Sequence, residues 1–97
     1  MILAIDVGNT NIVMGCIEDG NILNIVRMQT SHLETSTEYA IKLKQVLEFY
    51  GIDCRSLEGA ILSSVVPQVT GALREAVELI SGVKSICLLY TSPSPRD

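Results

Sequence analysis

The chain has 97 residues, 47% of them hydrophobic, and carries 7 Lys and Arg against 11 Asp and Glu, a net charge of −4. That composition describes a folded, acidic piece shorter than one average domain rather than a disordered tail. It argues against non-specific binding to nucleic acid or to an anionic membrane, which needs a basic surface, and no apolar run approaches the roughly 20 residues that span a bilayer.

Met1–Ile5 is a short apolar run stopped by Asp6, which predicts a strand buried on both faces. With a carboxylate so early and no basic flank, it is not expected to be a signal peptide. Val7-Gly8-Asn9-Thr10-Asn11 reads as a turn, rich in residues that accept positive φ or bond their own backbone. Ile12–Ile17 predicts a second strand, and Asp19-Gly20 a type I′ hairpin turn into a third, Ile22–Met28.

Gln29–Glu34 is a loop. Thr35 and Glu38 have capping-box spacing, and Tyr39, Leu43, Val46, Leu47 and Tyr50 then mark one helical face, closed by Gly51 as C′ residue. Gly59–Ser63 predicts a further buried strand. Pro67 suits the first turn of a second helix, with Val69, Leu73, Ala76, Val77 and Ile80 as its buried stripe and Gly82 at its end. Val83–Ile86 would begin a fifth strand. The order is β-β-β-α-β-α-β, an α/β arrangement. Crossovers make parallel neighbours, so the sheet is mixed, with expected strand order 3-2-1-4-5 and the first strand central.

The three cysteines, Cys16, Cys54 and Cys87, have no metal or disulfide spacing and read as reduced thiols of a cytoplasmic protein. His32 stands alone in a polar loop, a surface histidine by default. Residues 87–97, Cys-Leu-Leu-Tyr-Thr-Ser-Pro-Ser-Pro-Arg-Asp, hold two of the three prolines. Pro93 and Pro95 cannot continue a central strand or a helix. The string resembles the conceptual translation of a transposon-end sequencing adapter. The expectation is a truncated half-domain over 1–86 and a non-native tail over 87–97.

Asp6 is the odd residue. It closes the most apolar strand, at the carboxyl edge where open α/β sheets bind ligands. A carboxylate there needs a partner, a cap or a cation. Gly8 lets a ligand approach the backbone, successive amides in such a turn converge on an anion, and Thr10 and Asn11 add short donors. Two readings stand side by side: a phosphate cradle whose carboxylate organises Mg²⁺ through water, or Asp6 and Asn9 stabilising a tight hairpin. Neither GxxxxGK[ST] nor GxGxxG is present. Ser63 and Ser64, before the second helix, read as helix caps or as an anion site at the helix N-terminus, with capping favoured.

Ala4-Ile5-Asp6-Val7-Gly8-Asn9-Thr10-Asn11 resembles the first phosphate motif of the actin, hexokinase and acetate kinase superfamily, whose core is ribonuclease H-like. The spelling DVGNTN at the N-terminus, with Ile61-Leu62-Ser63-Ser64-Val65-Val66-Pro67, is similar to type III pantothenate kinases. That resemblance covers 1–86. It implies an actin-like ATPase half-domain from a kinase that transfers the terminal phosphoryl group of ATP to pantothenate, the first step toward coenzyme A. It further implies a cytoplasmic homodimer at full length that needs Mg²⁺ and a monovalent cation, K⁺ or NH4⁺. The ATP-phosphate loop would be Asp6, Val7, Gly8, Asn9, Thr10, Asn11, Ile12 and Val13, with Asp6 on the metal.

The family's catalytic base lies in a Gly-x-Asp-Arg motif, expected downstream of Ile86, so no catalytic residue is assigned and the fragment itself is expected to be inactive. A non-catalytic nucleotide-binding regulatory module of the same fold is the alternative. A sugar or acetate kinase fits less well, given Asn9 after Gly8 and the SSVVP segment. A half-domain also leaves the face meant for later helices uncovered, which predicts poor solubility.

Overall fold

A computed structural model describes residues 1–31 and 33–89. Its elements are β1 (Ile2–Val7), β2 (Asn11–Glu18), β3 (Asn21–Gln29), α1 (Ser36–Phe49), β4 (Gly59–Ser64), α2 (Pro67–Ser81) and β5 (Ser85–Leu89), with a short 3-10 turn at Cys54–Ser56. The five strands form one sheet in the order β3-β2-β1-β4-β5, as expected. β1 pairs antiparallel with β2 and parallel with β4, β2 antiparallel with β3, and β4 parallel with β5.

Local chemistry sets the boundaries. Asp19 (φ 54) and Gly20 (φ 79) are both left-handed, as a two-residue I′ turn demands. From that turn the β2–β3 pairs run Asn11↔Gln29, Val13↔Arg27 and Gly15↔Ile25, with one irregularity at Cys16/Ile17. At α1 the Thr35 hydroxyl accepts from the Glu38 amide (3.2 Å) and the Glu38 carboxylate accepts from the Thr35 amide (2.7 Å), a complete capping box. The helix ends in a Schellman motif. Ile52 N–H donates to Leu47 O (2.9 Å) and Gly51 N–H to Glu48 O (3.0 Å), with Gly51 at φ 75.

The topology decides which face is covered. β3, β1 and β4 are parallel. The crossover β3–α1–β4 and the crossover β4–α2–β5 step across the sheet in the same direction. Right-handed crossovers therefore place both helices on one face, where they pack against each other. Leu3, Ile5, Val7, Ile12, Met14 and Leu62 point into that layer. They meet Tyr39, Leu43 and Leu47 of α1 and Val69, Leu73 and Val77 of α2, all buried.

The opposite face has no helix among the described residues. β1 consequently alternates, with Leu3, Ile5 and Val7 buried while Asp6 is exposed. This corrects the expectation of a strand buried on both faces: the apolar run is continuous because Ala4 and Ile2 belong to an open apolar face. Ile22 (62%), Ile25 (69%) and Ile61 (41%) lie exposed there beside Ala4, Gly15 and Ile17. Tyr50, expected in the buried stripe of α1, is instead its exposed C-cap and meets Phe49 edge to face at 5.2 Å.

β5 runs to Leu89, three residues beyond the boundary expected at Ile86, and Leu62↔Cys87 to Ser64↔Leu89 continue its ladder with β4. His32 and the remainder of the tail, 90–97, lie outside the described residues.

Candidate functional site

At the carboxyl end of β1, Asp6 stands on the open face, flanked in register by Val13 of β2 and Ser63 of β4. The chain then turns through Gly8, Asn9 and Thr10. Gly8 N–H donates to Asn11 O at 2.8 Å, which closes the turn. Gly8 is not in the left-handed region. Its role is space, since a Cβ there would crowd Asn11 O at 3.2 Å and the turn would have to give by a few tenths of an ångström. Of the two properties expected of the turn's residues, positive φ is not used: none of them adopts it. The amides of Asn9 and Thr10 make no hydrogen bond to other described residues. They are exposed at the mouth of an open hollow of about 260 Å³, lined by Asp6, Gly8, Asn9, Thr10, Asn11, Val13 and Arg27.

Six of the eight residues expected to form the phosphate loop line this hollow. Val7 and Ile12 do not: their side chains are fully buried beneath it, against the helices. Two further residues belong to the site and escaped the sequence reading. Arg27 sits on β3 opposite Val13 and supplies the hollow's cationic group. Thr30 follows β3; its hydroxyl donates to Gly8 O (2.9 Å) and its amide to Thr10 O (3.0 Å). The Asp19-Gly20 turn alone would set residue 26 beside 13 and residue 29 beside 10. The irregularity at Cys16/Ile17 shifts the register by one and brings 27 and 30 there instead, which is why the sequence did not show them.

Neither serine caps α2, the reading favoured from the sequence. Ser64 is buried, and its hydroxyl accepts from Val66 N–H (2.9 Å) and donates to Val66 O (3.1 Å). It thus braces the strand-to-helix link. The N-cap of α2 is Val66, which has no side-chain cap, and Pro67 takes N1, where no amide needs a partner. Ser63 lies beside Asp6 along the apolar trough of the open face.

Two other groups stand apart from the hollow. Burial pushes the Cys16 thiol above its ordinary range, with Cys54 adding to the effect, and burial followed by the charge of Glu48 does the same for Cys54. Both thiols are free and buried. The described residues hold no group of three or more potential metal ligands, so Asp6 is a single carboxylate donor. One carboxylate beside open amides fits a phosphate-bound Mg²⁺ that keeps most of its water shell.

This mixed sheet with both helices on one face is a ribonuclease H-like α/β fold. It superposes on a candidate N-acetylglucosamine kinase from Porphyromonas gingivalis (TM-score 0.68, 20% identity, 92% of this chain and 34% of that one). It also superposes on the ROK hexokinase of Thermus thermophilus (TM-score 0.65, 17% identity, 91% and 33%). Residues 2–92 match the model of the type III pantothenate kinase family, and the chain belongs to that family. The type III pantothenate kinase of Bacillus cytotoxicus is 40% identical over 86 residues, which are 89% of this chain and 33% of that protein. The chain thus spans about a third of the length of the curated relative it matches.

Proposed function

We propose that this chain is the nucleotide-phosphate half of a kinase that moves the terminal phosphoryl group of ATP to pantothenate. One observation carries the reading. Asp6, which is exposed, Asn9 and Thr10, whose amides make no hydrogen bond to other described residues, and Arg27 line one hollow at the carboxyl edge of the central strand. Phosphoryl transfer asks a protein mainly for positioning and charge. Amides and an arginine receive the phosphate oxygens, while a carboxylate holds the water shell of Mg²⁺. Bound there, Mg²⁺ would neutralise charge on the transferring group. K⁺ or NH4⁺ completes the cofactor set that the family implies; no donor for it is assigned to these residues. The acceptor, the homodimer and the cytoplasmic setting come with the family.

The chain contains no Gly-x-Asp-Arg segment. We therefore expect phosphate binding without turnover from these 97 residues. The direct test is an amide-resolved titration with ATP and Mg²⁺. Shifts at Asn9, Thr10 and Asn11 that vanish in Asp6→Asn support the reading. No shift at those amides, or shifts that ignore Asp6, sinks it. Turnover of pantothenate by this chain alone would contradict the expected inactivity. Sequencing the source DNA through codon 87 then separates the two versions. A frame that runs on into Gly-x-Asp-Arg supports the kinase, and one that truly ends in CLLYTSPSPRD supports a binding or regulatory module.

A further inference from the structure

The turn that forms the mouth of the hollow is held only in part by its own residues. Among the described residues its internal bonds are Gly8 N–H to Asn11 O and Asn11 Nδ2 to the Thr10 hydroxyl. Val65 N–H anchors Val7 O at its start (3.1 Å), and the anchors on Gly8 O and Thr10 O come from the segment after β3. Thr30 clamps it twice, through its hydroxyl on Gly8 O (2.9 Å) and its amide on Thr10 O (3.0 Å). The next residue is clamped in turn. The hydroxyl of Tyr39 donates to Ser31 O (2.6 Å) and accepts from Ser31 N–H (3.0 Å). Tyr39 lies in the first turn of α1 and is fully buried, so its ring cannot shift without disturbing the core. A continuous hydrogen-bonded path therefore leads from the core-anchored start of α1, through Ser31 and Thr30, to the peptide carbonyls of Gly8 and Thr10.

Fixing those carbonyls fixes the peptide units on either side of the Asn9–Thr10 peptide, and with them one of the two open amides, that of Asn9. A peptide unit is planar, so holding the Gly8 carbonyl orients the Asn9 N–H, which points the other way. The Thr10 carbonyl likewise orients the Asn11 N–H. Donors aimed in advance at an anion lose no free energy to reorganisation when it arrives.

We infer that Thr30 and Tyr39 are positioning residues that set the anion-receiving shape of the Gly8–Asn11 turn. This rests on the phosphate-binding reading above. Neither residue touches the ligand; each acts through the turn.

The test uses two readouts on the 97-residue chain. One is amide hydrogen exchange, relative to the free rate, at the bonded N–H groups of Gly8 and Thr30 without ligand, and the other is affinity for inorganic tripolyphosphate with Mg²⁺. Thr30→Val keeps the shape and deletes the hydroxyl. It is expected to speed exchange at Gly8 and residue 30 and to weaken tripolyphosphate about two- to tenfold, the worth of one neutral hydrogen bond, while the melting temperature holds. Thr30→Ser restores both values, which a role in packing alone would not predict. Tyr39→Phe is expected to move both readouts in the same direction as Thr30→Val, measured where the variant is still folded.

Unchanged exchange and unchanged affinity in Thr30→Val overturn the inference. If the wild-type chain binds no tripolyphosphate, the phosphate reading has failed, and exchange alone decides whether Thr30 orders the turn: faster exchange upholds the clamp, equal exchange refutes it.

Discussion

Replacing Ile25 and Ile61 by threonine should abolish most self-association of this chain. Ile22, Ile25 and Ile61 are 62%, 69% and 41% exposed on the helix-free face. Complete burial of an isoleucine is worth roughly 1.5–3 kcal/mol, so covering these three would release about 2.5–5 kcal/mol per face. Two copies meeting face to face would double that to about 5–10 kcal/mol. Association costs roughly 4–15 kcal/mol in lost freedom, so the net gain is at most about 6 kcal/mol and the association is weak, with a dissociation constant no tighter than tens of micromolar. Threonine at both positions keeps the strand-compatible β-branch and removes more than half of that gain, so association should weaken at least about tenfold. Sedimentation velocity over increasing concentration measures this. Leu33→Ser is the control, because Leu33 is 93% exposed yet lies in the loop before α1, away from the face. Identical association of the double variant and wild type would refute the reasoning, as would an equal effect from the control.

Three further outcomes follow from the same geometry. Asp6→Asn should leave the melting temperature nearly unchanged, since Asp6 is exposed and makes no ion pair among the described residues, yet remove the Mg²⁺ dependence of ATP binding; calorimetry with and without Mg²⁺ checks both. Thr35→Ala should cost about 1 kcal/mol in urea unfolding by breaking the capping box of α1, and a loss under a few tenths would show the box to be idle. Stability should fall as pH rises above the ordinary thiol value of 9.0. The folded state keeps Cys16 and Cys54 protonated where the unfolded chain has released those protons, so the stabilisation is intact below that value and is lost above it. Melting scans from pH 8 to about 10.5 test this, and Cys16→Ala should flatten the slope whatever it does to the absolute temperature.

Elements whose shape is fixed by their own residues were legible in advance. The I′ turn needs left-handed φ at Asp19 and Gly20, and Thr35 and Glu38 can satisfy each other's amides; such signals are local and survive any tertiary context. Strand order followed from crossover rules. What escaped the reading depends on partners distant in sequence. Ser64 looked like a cap because a serine before a helix usually is one, but the helix begins three residues later, with Val66 as its N-cap, and the Ser64 hydroxyl turns to Val66. β1 looked doubly buried because an apolar run does not say whether a second layer covers it. Arg27 and Thr30 carry no motif of their own. They join the site only through the β2–β3 register, which the irregularity at Cys16/Ile17 shifts by one residue near the hairpin turn.

Asp6 lines both the hydrated hollow at the turn and the apolar trough of the open face. The two surfaces therefore share a wall, and covering one changes the electrostatics of the other. With the trough open, Asp6 and Arg27 face water, which screens their charges strongly. A layer packed over Ile25 and Ile61 would exclude that water, lower the effective dielectric constant to about 20 and strengthen each charge interaction in the hollow about fourfold. Binding of ATP with Mg²⁺ to this chain should accordingly be weak and strongly reduced by salt, since its charges are screened over a Debye length of about 10 Å at 0.1 M. Tight, salt-insensitive binding by the isolated chain would mean that the hollow is already dry, and the shared wall would then have no bearing on affinity.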